Sequence, residues 1–69
     1  MSIEDYNKIY KQQNGRCMIC NKERKLLFVD HNHRTDEVRG LLCPQCNTGI
    51  GMFDDSINHL QNAIMYLKG

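Results

Sequence analysis

The chain has no long apolar run. Nowhere does it offer the roughly 20 consecutive apolar residues that a membrane-spanning helix needs, so no transmembrane segment and no membrane partner are expected. It also lacks an excess of either charge. Nine Lys and Arg against eight Asp and Glu leave a formal net charge of +1. The molecule as a whole is therefore not a polycation, and any nucleic-acid contact has to come from local patches. Arg16, Lys22, Arg24, Lys25, Arg34 and Arg39 supply the central basic residues, diluted by Glu23, Asp30, Asp36 and Glu37. A secretory start is missing as well: Met1-Ser2-Ile3-Glu4-Asp5 has neither a basic n-region nor an apolar core. Repeats, linkers and low-complexity segments are absent. Length is the last shortage. The 69 residues read as one domain, 1–69, and a chain so short buries too little apolar surface to outweigh its backbone entropy comfortably.

What the chain has instead is four cysteines in two close pairs, Cys17-Met18-Ile19-Cys20 and Cys43-Pro44-Gln45-Cys46. A two-residue gap lets one tight turn aim both sulfurs at one ion, and two such knuckles make a tetrahedral Cys₄ zinc site. Residues 21–42 between them leave room for a hairpin and its turn. Metal ligation then supplies what the small core lacks, because the ligation free energy becomes folding free energy. Two disulfides would suit a secreted domain, which the N-terminus does not announce. A redox C-x-x-C would call for a thioredoxin-like βαβ pattern, which is not there.

The rest reads as α+β. Residues 2–13 predict a helix, with Ser2 and Asp5 as a capping box and Ile3, Tyr6, Ile9 and Tyr10 on one face. Asn14-Gly15 ends it. Leu26-Leu27-Phe28-Val29 predicts a strand, and Val38-Arg39-Gly40-Leu41-Leu42 a second one leading into the second knuckle. A short helix is expected over Asn47–Met52 despite Gly49 and Gly51. Asp54-Asp55-Ser56 precedes a last helix over 55–68, whose apolar face is Ile57, Leu60, Ile64 and Leu67. The first and last helices should pack on each other or on the hairpin. Met18, Met52 and Met65 read as core gap-fillers, Tyr6 and Tyr10 as packing residues, and His59 as a solvated helix position.

Asp30, His31, His33 and Asn47 carry the chemistry. A carboxylate and an amide oxygen are hard ligands, suited to magnesium or manganese and not to zinc. An adjacent imidazole can take a proton from water near neutral pH. A hard cation, a general base and a scissile phosphate together make a one-metal phosphodiesterase.

These residues also carry a resemblance. Val29-Asp30-His31-Asn32-His33, then Val38-Arg39-Gly40-Leu41-Leu42-Cys43, then Cys46-Asn47 and Gly51 resemble the phage recombination endonuclease VII family, a branch of the HNH, or His-Me finger, nucleases. The resemblance runs from Cys17 to about Gly51 and weakly to Tyr66-Leu67. It implies a zinc-bound ββα-metal core flanked by N- and C-terminal helices. It implies that Asp30 and Asn47 ligate a catalytic magnesium or manganese, that His31 is the general base, and that His33 assists at the phosphate or metal. The structural zinc would sit on Cys17, Cys20, Cys43 and Cys46. The implied activity is DNA cleavage to 3′-hydroxyl and 5′-phosphate ends, in the cytoplasm of a bacterial host; low sequence specificity is expected because basic residues are few and no recognition helix is evident. Arg39 is a candidate for contact with the DNA backbone on charge alone. A non-catalytic zinc-ribbon module binding nucleic acid or protein is the alternative.

Two departures from the family pattern stand out. Some members have an acidic residue three positions after the asparagine, where this chain has Ile50. Asp36-Glu37 occupies a turn where glycine is common. The resemblance supports phosphodiester cleavage and leaves junction resolution open. Geometry adds a constraint of its own. Neighbouring residues on a regular strand point to opposite faces, so Asp30 and His31 can address one phosphate only if the strand ends near Val29 or carries a bulge. The expectation is that it ends there, with loop 30–36 wrapping the site.

Overall fold

A computed structural model describes all of residues 1–69. The first helix, α1, spans Ile3–Gln12. Ser2 caps it: the Asp5 N–H donates to Ser2 Oγ at 3.1 Å, and the Ser2 N–H donates back to Asp5 Oδ2 at 3.4 Å. This reciprocal box satisfies two of the donors that a helix start leaves open. At the other end Asn14 and Gly15 turn left-handed, at φ 56° and 67°. Glycine is required at 15 on a second count, since a Cβ there would meet Tyr10 Oη at 2.9 Å.

The sheet is one antiparallel hairpin of β1, Phe28–His31, and β2, Val38–Leu42. It runs in register from Phe28 opposite Leu42 to Asp30 opposite Gly40, then slips so that His31 faces Val38. The expected end of the first strand at Val29 is thus replaced by a strand that continues through His31 with an irregularity at the Asp30–His31 step. Two contacts explain this. The ladder is extended by the Asn32 N–H donating to Glu37 O at 2.8 Å. Asn32 Oδ1 also accepts from the Arg34 and Thr35 N–H groups, which builds the turn. Asp36, in the place of a common glycine, takes the left-handed conformation at φ 62°, which Asp tolerates better than most residues.

Leu26 and Leu27 lie before the strand. Leu27 is buried and its backbone is read by a phenol: Tyr6 Oη donates to Leu27 O at 2.6 Å and accepts from the Leu27 N–H at 3.2 Å. Tyr10 Oη donates to Arg24 O at 2.6 Å. Gln13 serves the hairpin edge in the same manner, accepting from the Leu41 N–H and donating to Leu41 O, both at 3.0 Å. Three side chains on or just after α1 therefore hold backbone that no strand covers. Tyr6 and Tyr10 pack as expected, with ring centroids 6.2 Å apart.

The second knuckle leads into α2, Pro44–Met52, and the last helix α3 is Ile57–Lys68 with Ser56 as its cap. The short helix expected at Asn47 starts three residues earlier. Proline is well placed in a first turn, and Cys43 Sγ caps it by accepting the Cys46 N–H at 3.4 Å. The core is small: Cys17, Leu27, Leu41, Leu42 and Cys43, with Tyr6, Ile9, Tyr10, Val29 and Ile50 packed around it. Met18, Met52 and Met65 are exposed rather than core fillers.

The main packing joins β1 to β2, α1 to β2, and α2 to both strands. The expectation that α3 packs on α1 or on the hairpin is not met. Asp54 and Asp55, both at φ 54°, turn the chain away after α2. Ile57, Ile64, Met65, Tyr66 and Leu67 of α3 are exposed, the last two above 80%. The molecule is accordingly long and thin, 42 × 27 × 15 Å. No helix is long and apolar enough to cross a membrane.

Tyr6→Phe, which strips Leu27 of its partner, should cost about 1–3 kcal/mol in urea unfolding of the zinc-loaded protein. Ile64→Ala should stay within about 0.5 kcal/mol. A loss at Ile64 as large as that at Tyr6 would show that the α3 face is covered in solution.

Candidate functional site

In each knuckle the first sulfur accepts a backbone N–H. In the first, the Ile19 N–H donates to Cys17 Sγ at 3.4 Å, and in the second the Cys46 N–H donates to Cys43 Sγ at 3.4 Å. The Cys17 N–H is tied to Lys22 O and the Met18 N–H to Leu41 O, which fixes the first knuckle against β2. All four cysteines are free thiols, and their sulfurs lie within 4.8 Å of one another. Cys20 and Cys43 are 3.7 Å apart. Four sulfurs about 2.3 Å from a central zinc would have tetrahedral edges of roughly 3.8 Å, so the cluster fits the ion that its ligand chemistry demands.

The thiols are electrostatically unequal. Burial alone would raise Cys17, but hydrogen bonds from the backbone of Cys43, Cys20 and Ile19 outweigh it and bring the thiol down to about 6. The Cys46 backbone N–H lowers Cys43. Burial, aided by the crowd of neighbouring sulfurs, raises Cys46 to about 12. Zinc binds thiolates, so metal binding to this set would release the protons its sulfurs still carry.

The second cluster lies on the hairpin. Where the register slips, Arg39 is the extra residue on β2, between Gly40 opposite Asp30 and Val38 opposite His31. In a regular ladder Arg39 would face away from Asp30. A bulge re-aims such a side chain, and here the Arg39 guanidinium folds over the carboxylate. Arg39 Nε lies 2.7 Å from Asp30 Oδ2, and Nη2 lies 3.0 Å from Asp30 Oδ1. The Asp30 side chain is only 11% exposed. Nη2 also reaches Asp55 Oδ2 at 3.2 Å, and His33 Nε2 is 3.4 Å from the same oxygen. The hydrogen bond to Asp30, helped by both carboxylate charges, raises the Arg39 pKa further. Asp30, Arg39, Asp55 and His33 thus form one connected chain of charge.

The other two expected site residues are not part of this chain. Asn47 is half-buried in the first turns of α2, its N–H donating to Cys43 O at 3.0 Å, so the knuckle fixes its backbone. His31 lines a depression with Asp5, Lys8, Ile9 and Gln12 of α1, together with Asp36 and Val38. Asp30 lines a different one, with Met18, Ile19, Leu42 and Ile50. Asp55 was not singled out from the sequence, where it read only as part of a helix start. Its role depends on the left-handed turn after α2, which no local spacing signals.

The family model described as recombination endonuclease VII matches residues 1–69. Two phage proteins are similar in sequence. "Gene 59 protein" of Mycobacterium phage D29 is 51% identical over 72 residues, covering 99% of this chain and 44% of that protein. "Gene 59 protein" of Mycobacterium phage L5 is 47% identical over 68 residues, covering 93% of this chain and 42% of that protein. The chain spans less than half the length of either relative.

Protein purified without added zinc should carry one zinc per chain by elemental analysis, and Cys43→Ser should lose both the metal and the fold. Less than half an equivalent, or a mass consistent with two disulfides, would rule out the Cys₄ assignment.

Proposed function

Because the chain belongs to the recombination endonuclease VII family, we propose that it is a DNA endonuclease of the His-Me finger type, dependent on a divalent metal, whose 69 residues form one domain. The observation that supports this reading most is the partly buried carboxylate of Asp30, held on the hairpin beside the helix that zinc-binding Cys43 and Cys46 anchor. A cation already lies against both its oxygens: the Arg39 guanidinium, at 2.7 and 3.0 Å. A carboxylate in this setting, with the amide oxygen of Asn47 as second donor, has the hard-ligand chemistry that suits magnesium or manganese. Such an ion, when bound, would stabilise the charge that builds on the phosphate.

The chain's own groups do the rest. His31, as a neutral imidazole, takes a proton from the attacking water. The water oxygen bonds to phosphorus, the bond from phosphorus to the 3′ oxygen breaks, and that oxygen gains a proton from solvent. The products are a 3′-hydroxyl and a 5′-phosphate. His33, linked to Asp30 through Asp55 and Arg39, assists at the phosphate. With near-neutral net charge, binding rests on local phosphate contacts, so it should be weak, tolerant of sequence and steeply weakened by salt. The place of action in this reading is the cytoplasm of a bacterial host.

One observation favours a second reading. Asp30 is engaged on both oxygens by Arg39, which is also what a structural ion pair in a non-catalytic zinc-ribbon module would look like. Variants separate the two. Asp30→Ala and Asn47→Ala should abolish plasmid nicking in saturating magnesium while keeping zinc and fold, and parent-rate nicking by either would refute its assignment as a ligand.

The histidines divide more finely. His31→Ala should lose roughly 10²–10⁴-fold, the usual worth of a general base, with DNA affinity unchanged, and His33→Ala should lose less. A larger loss at His33 would move the base to the residue that the Asp55 contact already ties to Asp30.

A further inference from the structure

A metal ligand whose two oxygens already face a cation poses a question of sequence of events. Asp30 offers its two oxygens to the two-pronged face of Arg39. This is the fork geometry in which guanidinium and carboxylate match best. A divalent cation and this guanidinium compete for the same carboxylate, and their like charges repel at close range. Arg39 also has somewhere else to go. It is the bulge residue, more than a third exposed along its side chain, and its Nη2 already bridges to Asp55. Asp55 lies on the α2–α3 turn and itself lines a groove with Asn32, His33, Arg34, Arg39, Asp54 and Ile57. Arg34 and His33 on that groove are groups a phosphate would favour.

We propose that Arg39 is an exchangeable counter-ion of Asp30: it holds the carboxylate in the metal-free protein, leaves it when a divalent cation binds, and swings on Asp55 to grip the DNA phosphate. This rests on the reading of Asp30 as a metal ligand. Arg39 is then a positioning residue before the metal arrives and a substrate-binding residue afterwards, with Asp55 as the pivot common to both states. The exchange links two events. Without metal the guanidinium is spent on Asp30 and adds little to DNA affinity. With metal it is released, so metal and DNA strengthen each other's binding, and by the same factor in both directions.

The test measures binding and not turnover. Manganese titrations of the zinc-loaded full chain, followed by the paramagnetic signal of the free ion, are made on the parent, Arg39→Gln, Arg39→Lys and Asp30→Asn. Zinc content and circular dichroism confirm the fold of each. Arg39→Gln should bind manganese more tightly, by roughly tenfold, within the ordinary range of coupling between sites. Arg39→Lys, which keeps the charge but not the fork, should fall between the parent and Arg39→Gln. DNA affinity is then compared in calcium and in chelator. Calcium should raise it roughly tenfold in the parent and distinctly less in Arg39→Gln. If Asp30→Asn binds manganese like the parent, the ligand assignment falls and the exchange with it. If Asp30→Asn loses manganese but Arg39→Gln binds it no better or worse than the parent, the assignment stands and the exchange is refuted. An equal calcium effect on DNA binding in the parent and Arg39→Gln would likewise refute the swing to phosphate.

Discussion

Four sulfurs gathered within 4.8 Å are the constraint on which the remaining structure rests. Two of the five core residues, Cys17 and Cys43, are themselves members of this cluster, so the apolar core and the thiol cluster are one object. Without a metal, four crowded thiols would stand where a larger domain would place leucines, and burial with mutual repulsion raises the cost of ionising Cys46. With one, the same crowding becomes a closed tetrahedral shell. The cluster also decides where things point. The first knuckle is pinned to β2 through Leu41, and the second begins α2 with a sulfur as its cap. A zinc on the four sulfurs would tie the first knuckle to α2, adding to the packing of α2 on both strands.

A second, weaker device is superimposed on this scaffold. One surplus residue in β2 puts Arg39 on the face of Asp30. The resulting string of Asp30, Arg39, Asp55 and His33 carries more acid than base when the imidazole is neutral. The string keeps each carboxylate partnered, which is how a partly buried Asp30 is tolerated. Asp55, from the turn after α2, brings a second carboxylate to the same guanidinium.

Much of this was legible in the residues. The capping box of Ser2 and Asp5, the Asn14-Gly15 stop, the second strand and the Cys₄ set are short-range patterns whose physics is local, and each is found where its spacing puts it. The first strand was displaced by two residues because Leu26-Leu27 looked more strand-like than Asp30-His31. Pairing with β2 and the Asn32 turn overrode that preference, and Leu27 was buried by a tyrosine instead of a ladder. The helix after the second knuckle starts early because a cysteine sulfur is an unusual cap. The packing of α3 was misjudged for another reason. An amphipathic face announces that it can be covered, not by what, and the left-handed pair Asp54-Asp55 directs this one away from the hairpin. The same pair delivers Asp55 to Arg39, a long-range consequence that no local pattern encodes. Membership of the recombination endonuclease VII family agrees with the resemblance that Asp30, His31, His33 and Asn47 carry. The structure links Asp30 to His33 through Arg39 and Asp55, while His31 lines a different depression from Asp30.

The most direct test of the account is the chemistry of the cut. Supercoiled plasmid incubated with the zinc-loaded protein and magnesium should become nicked, and the nick should be sealed by DNA ligase with no end repair, because 3′-hydroxyl and 5′-phosphate termini are the products of the proposed route. Chelation tight enough to remove magnesium but not zinc should stop the reaction. No nicking by protein that holds its zinc and its fold, or nicks that ligase cannot seal, would contradict the account.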